Sequence, residues 1–222
     1  MSKRGRSGTP RRSRRKRPVL KRVLIVGEGR QTEPNYFDGL KRQDAAVRQR
    51  FSVTVKAGQG KSPEDVIDQA VRLQEQEHRK GEAFDEVWCV LDTEGAEVLE
   101  SLDRALAAAR EHDITVCLSN PCFEVWIRAH FVRSRREFPN CAAVIEELNR
   151  TWESEFGQSY QKNDRDLYEK LRERLDDAVA NAEAVLEKDH DAENCGDVTK
   201  CNSSTDVYKL ARHLTGHDDQ AT

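Results

Sequence analysis

Two rhythms of apolar and polar residues divide the chain. Short, almost wholly apolar runs stand at residues 23–26 (VLIV), 87–91 (VWCVL) and 114–118 (ITVCL). Runs of this length, rich in β-branched residues, suit strands covered on both faces of a parallel sheet. Phe51, Val53 and Val55 alternate with Ser52, Thr54 and Lys56 and read as a further strand. Between the strands, apolar residues recur at steps of three and four: Tyr36, Phe37 and Leu40; Val66, Ile67, Ala70, Val71 and Leu73; Leu99, Leu102, Leu106 and Ala109. These predict amphipathic helices that start near Thr32, near Pro63 behind a Ser62 cap, and over 97–111. Ser119 or Asn120 is placed to cap another helix whose first turn holds Pro121. Strand alternating with helix predicts an α/β fold with a short parallel sheet flanked by helices.

Past Cys141 only the helical rhythm remains. Val144, Ile145, Leu148 and Trp152 mark one helix, and Leu167, Leu171, Leu175, Val179, Ala182 and Leu186 mark one longer helix. Val207, Leu210, Ala211 and Leu214 mark the last, with Ser203 or Ser204 as its cap. The expectation is a helical C-terminal elaboration on the α/β unit.

The chemistry gathers where apolar runs end. The first run stops in Gly27-Glu28-Gly29, a turn that leaves Glu28 at the carboxyl end of its strand, where open α/β sheets place ligand crevices. The third strand ends in Asp92-Thr93-Glu94, two carboxylates one residue apart that can face one side and suit a hard cation such as Mg²⁺ or Mn²⁺. Right-handed crossovers can bring that tip beside Glu28, and carboxylates so placed repel unless a cation sits among them. The bland alternative is an acid topping a turn, with Glu33 complementing a helix dipole. Asn120 and Glu124, at the end of the fourth strand, are expected near the same edge, although on the residues alone an ordinary cap and first-turn acid are the preferred reading. His130 stands beside aromatics and reads as core.

Two other constellations fail on spacing. Gly60-Lys61-Ser62 looks like the end of a phosphate-binding loop, but the glycine required five positions before Gly60 is Val55. Cys195, Cys201, His213 and His217 lack the spacing and hairpin of a zinc finger.

Charge then changes the picture. Residues 1–22 hold eleven Lys or Arg and no acid, leaving 26 basic and 40 acidic residues in the rest of the 222, a formal charge of −14 behind an overall −3. A disordered basic arm over 1–22 is expected, with Arg11, Arg12, Arg14, Arg15, Lys16 and Arg17 contacting the phosphates of a nucleic acid. The remaining residues, 23–222, form one domain. No apolar stretch reaches the roughly 20 residues of a membrane span, and no signal-peptide pattern occurs, so a soluble, cytoplasmic protein is expected. The six cysteines, scattered mostly in apolar runs, read as reduced core residues.

The blocks VLIVGEGRQTEPNYF, VWCVLDTEG and SNPCFEVWIRAHF resemble the RloB family, associated with bacterial restriction and abortive-infection loci. More broadly, an apolar strand ending in Glu-Gly and a later one ending in an acid pair resemble the Toprim fold of topoisomerases, primases and related nucleases. The resemblance covers the chain from about Arg22 onward. It implies a Toprim-like (Rossmann-like) domain in which Glu28 is the general acid or base of phosphoryl transfer and Asp92 and Glu94 are the metal pair. Glu94 stands where Asp is usual, one methylene longer. Glu33 would hold a second metal, and Asn120 and Glu124 would position substrate or ligands. The implied function is Mg²⁺-dependent cleavage of DNA or RNA in anti-phage defence, alongside an ATPase encoded nearby. The alternative is a non-catalytic module that binds nucleic acid or a defence partner.

Overall fold

A computed structural model of the chain describes residues 19–58, 62–94, 96–187 and 196–216, with backbone only over 96–100. Four strands, β1 (Lys21–Gly27), β2 (Phe51–Lys56), β3 (Glu86–Asp92) and β4 (Ile114–Asn120), run parallel, and β5 (Ser204–Thr205) adds antiparallel to β4. The order is β2-β1-β3-β4-β5, which puts β1 and β3 side by side at the centre. Val23, Leu24, Ile25 and Val26 are fully buried, as the unbroken apolar run requires of a strand covered on both faces. The α/β architecture with its mostly parallel, Rossmann-like sheet is therefore as the rhythm predicts. β1 starts at Lys21, so the last two residues of the basic stretch belong to the sheet.

The helices that cover the sheet are α1 (Thr32–Gln43), α2 (Ala45–Arg50), α3 (Pro63–Arg79), α4 (Ala96–Glu111) and α5 (Glu124–Ala129). Ser62 caps α3 as expected, accepting from the Asp65 amide. Neither α1 nor α5 has a side-chain cap. Thr32 is already inside α1, and its hydroxyl donates instead to the Lys162 carbonyl at 3.4 Å. β4 runs on through Asn120 to a cis Asn120–Pro121 peptide, and α5 opens only at Glu124 without a side-chain cap. Ser119 Oγ and Asn120 are occupied by the last part of the chain: Ser119 Oγ pairs with Thr205 Oγ1 at 2.8 Å, and Asn120 Nδ2 donates to the Val198 carbonyl at 2.9 Å.

Beyond α5 come α6 (Cys141–Phe156), α7 (Leu167–Leu171), α8 (Leu175–Glu187) and α9 (Val207–Thr215). The long helix expected over 167–186 is divided by a 3₁₀ turn at Arg172–Arg174. The apolar spacing survives that break because Leu167, Leu171 and Leu175 all reach the core. The residues before α9 form β5 rather than a cap, with Ser204 Oγ donating to the Cys201 carbonyl and Thr205 Oγ1 to the Leu118 carbonyl.

The cysteine reading is corrected at one pair. Cys122 and Cys141 form a disulfide, their Cα atoms 5.6 Å apart, because the turn after β4 returns against the start of α6. Cys89 and Cys117 are free and buried, and Cys201 is buried. His130 is core, as expected. It meets Tyr36 Oη at 3.2 Å and the Trp126 carbonyl at 3.0 Å, and burial pulls its pKa down to about 4. Of the zinc quartet, Cys195 and His217 lie outside the described residues, while His213 pairs with Glu86. Gly60 and Lys61 also lie outside them.

Candidate functional site

The site grows from the adjacent tips of β1 and β3. The Glu28 amide continues the ladder by donating to the Val90 carbonyl at 2.9 Å, and the Glu28 side chain crosses to accept from the Asp92 amide at 3.0 Å. Glu28 is thereby fixed over the end of β3. The turn is backed by Gly58, whose amide donates to the Gly29 carbonyl at 3.4 Å. A Cβ on Gly58 would meet the Gly27 carbonyl oxygen at 2.6 Å and the Glu28 carbonyl closer still, so only glycine fits behind the turn.

Glu33, in the first turn of α1, folds back on the same turn and accepts from the Gly29 amide at 2.7 Å. It is 4% exposed, and Glu124, at the start of α5, is 1% exposed. Glu124 receives the Tyr160 hydroxyl at 3.3 Å and the Lys162 ammonium at 3.2 Å, and the disulfide sulfur of Cys141 touches its other oxygen at 3.2 Å. Together Gly29, Thr32, Glu33, Asp92, Glu124 and Lys162 line most of an open cleft of about 260 Å³.

The electrostatics follow from burying so many acids together. Asp92 has its pKa pushed well up, first by burial and then by the charges of Glu33, Glu28 and Glu124, with Lys162 acting the other way. Burial raises Glu28 as well, against the amide of Asp92. Glu33 is raised by burial and then by Glu124 and Glu28, against the amides that donate to it. Asp92 Oδ1 is buried with no hydrogen-bond partner among the described residues, a costly state for a carboxylate oxygen and one that a bound cation would relieve.

Of the sequence candidates, Glu28, Glu33, Asp92 and Glu124 therefore converge. Glu94 does not: it is exposed two residues beyond the end of β3 and lines no part of the cleft. Asn120 faces the C-terminal segment. Arg11, Arg12, Arg14, Arg15, Lys16 and Arg17 lie outside the described residues. Two residues of the site, Tyr160 and Lys162, escaped sequence reasoning. They sit in the polar stretch QSYQKND, where no periodicity marks them, and only the isolated aromatic Tyr160 hints at a buried anchor.

The donors are all oxygens, which fits Mg²⁺ or Mn²⁺ rather than a thiophilic ion. Among the described residues, one group of three ligating side chains draws within 4.8 Å: Cys122, Glu124 and Cys141. Its two sulfurs are bonded to each other and so are withdrawn from ligation. The carboxylates around Asp92 are spaced more loosely, which suits Mg²⁺, an ion that keeps several waters and takes few direct protein ligands. No helix among the described residues is long and apolar enough to cross a membrane.

No curated protein and no solved structure matches the chain. A family model described as RloB-like protein matches residues 23–214, from the first buried residue of β1 to the last turn of α9. The match spans every residue of the acidic cleft, and the chain belongs to the RloB-like protein family.

Proposed function

We propose that this chain is a divalent-metal-dependent nuclease of Toprim type that cuts a phosphodiester of DNA or RNA. One observation carries the reading: Asp92 stands half-buried among Glu28, Glu33 and Glu124 with a buried carboxylate oxygen, Oδ1, that has no partner among the described residues. Asp92, Glu33 and Glu124 would hold Mg²⁺ or Mn²⁺. Such an ion, when bound, orients the scissile phosphate and stabilises the charge that develops on it. Glu28 is the proton-handling group. Its raised pKa keeps a proton available nearer neutrality, and its hydrogen bond to the Asp92 amide fixes its position at the cleft. Tyr160 orients Glu124 through its hydroxyl. The wider reading, action in anti-phage defence beside an ATPase encoded nearby and contact with nucleic acid through the basic arm, rests on the family and on the charge of residues 1–22.

The test incubates purified protein, with and without its genomic neighbour, with plasmid DNA and total RNA in Mg²⁺ or Mn²⁺, beside melting curves against metal. Wild type is expected to cut and to be stabilised by metal binding to the folded state. Asp92→Asn is expected to melt at the same or a slightly higher temperature without metal and to lose both responses. Glu28→Gln keeps part of the metal response and loses cleavage. A wild-type metal response in Asp92→Asn, or normal cutting by both variants, would overturn the reading. Tight nucleic-acid binding with no cleavage under any condition would favour a binding module.

A further inference from the structure

Three acids, Glu33, Asp92 and Glu124, line the cleft with Glu28 held behind Asp92, and the ammonium of Lys162, from a distant part of the chain, stands against Glu124. Lys162 lies in the loop between α6 and α7, and that loop is pinned over the site at several points. The Tyr160 amide donates to Asn149 Oδ1 at 2.8 Å, its hydroxyl reaches Glu124, and the Lys162 carbonyl accepts from Thr32. The backbone at Lys162 is thus fixed above the start of α1. The side chain is not fixed to the same degree: it is 51% exposed while the side chain of its partner Glu124 is buried, and its ammonium lies 3.2 Å from Glu124 and 3.7 Å from Cys141 Sγ. A lysine in this position has a buried anion at its tip and water along its stem.

We propose that Lys162 is the resident counterion of the carboxylate cleft, that a divalent cation displaces it from Glu124, and that the displaced ammonium then binds a phosphate of the nucleic-acid substrate. The inference rests on the nuclease reading and adds a residue and a coupling to it. A cation held at Glu124 and an ammonium on the same carboxylate repel at contact distance. The ammonium is the partner free to leave, because its flexible stem is already half in solvent and its charge regains water as it swings out. Its three donors then suit a phosphate oxygen over the cleft, a charge-assisted contact. Since one lysine cannot hold both partners, phosphate drawing it outward favours metal at Glu124 and metal favours phosphate, by the same factor in each direction.

The experiment uses full-length wild type, Lys162→Met, Lys162→Arg and Lys162→Gln. Melting curves against Mn²⁺ give metal affinity, and fluorescence anisotropy of a labelled single-stranded oligonucleotide in Ca²⁺ gives substrate affinity. Lys162→Met is expected to reach half its stabilisation at several-fold lower Mn²⁺, because the competing charge is gone. Its oligonucleotide affinity should fall about tenfold, the scale of one charge-assisted hydrogen bond. Lys162→Arg should recover most of the oligonucleotide affinity. Lys162→Gln replaces Met as the test variant if Met disrupts the loop. A variant that needs equal or more Mn²⁺, or binds the oligonucleotide as wild type does, overturns the inference and leaves the nuclease reading standing. A wild type indifferent to metal removes both.

Discussion

The two ends of the central strands treat charge in opposite ways. At the amino end of β1 and β3, Lys21, Arg22, Glu86 and His213 all stand against groups of opposite sign. Lys21 meets Glu86 at 3.1 Å, Arg22 meets Glu77 at 3.0 Å and Glu82 at 3.2 Å, and His213 meets Glu86 at 2.6 Å while stacking on Trp88. Burial alone lifts the Glu86 pKa, but Lys21 and His213 more than offset it, and the group ends below the usual carboxylate range. At the carboxyl end, Glu28, Glu33, Asp92 and Glu124 crowd together, Lys162 pairs with Glu124, and Asp92 ends far above that range. A fold stabilised at one end and left electrostatically unsatisfied at the other marks the second end as the place where something binds.

The largest expected effect is on the covalent tie beside the acidic end. The Cys122–Cys141 bridge closes a loop of sequence separation 19. Reducing it should cost about 3 kcal/mol of stability on the chain-entropy scale. Melting with and without a phosphine reductant measures this, and coincident curves would show that the bond contributes nothing. Gly58→Ala comes next. Its Cβ would push on the carbonyls of Gly27 and Glu28, so a loss of about 2 kcal/mol is expected together with a weakened Mn²⁺ response, since Glu28 must shift. A Gly58→Ala protein whose metal response matches wild type would separate the turn from the site. At the amino end, Glu86→Gln should cost only about 0.5 kcal/mol, the scale of a pair screened by water, and should leave the metal response untouched.

The subtlest test is in pH. Asp92 holds its proton more tightly folded than unfolded, so it stabilises the metal-free fold below 3.8 and gives that contribution up as pH rises through its elevated value. Glu86 does the reverse, contributing above 4.5 and losing that contribution as pH falls through its depressed value. Relative to wild type, Asp92→Asn should flatten the decline in stability toward neutral pH, and Glu86→Gln the decline toward acid. Parallel shifts in both variants would mean that the two ends are alike after all.

The sheet and half of the site were legible in the sequence for one reason. Residues 23–26 and 87–91 are apolar without interruption, so their ends are sharp, and the acids that follow, Glu28 and Asp92, had to stand at strand tips. Glu33 and Glu124 were visible as first-turn acids, but their convergence depends on how α1 and α5 pack. Glu94 stands apart from the cleft because a strand that stops at Asp92 no longer dictates which side the next acids face. Lys162, the break at Arg172–Arg174, the two-residue β5 and the disulfide left no local pattern, since each is decided by contacts between residues far apart in the chain.

The lysine loop has a consequence for how the molecule is made. Thr32 and Lys162, which meet at the mouth of the cleft, are separated by 130 positions. A chain emerging from its amino end presents all four carboxylates well before it presents the residues that roof them. Until α6 and the loop behind it dock, those acids stand in water, hydrated and titrating in the ordinary range. The elevated pKa values of Glu28, Glu33 and Asp92, the unpartnered oxygen of Asp92 and the opposing ammonium come into being together at closure. The electrostatic character of the site is therefore a property of the finished tertiary structure and is absent from every shorter intermediate of synthesis.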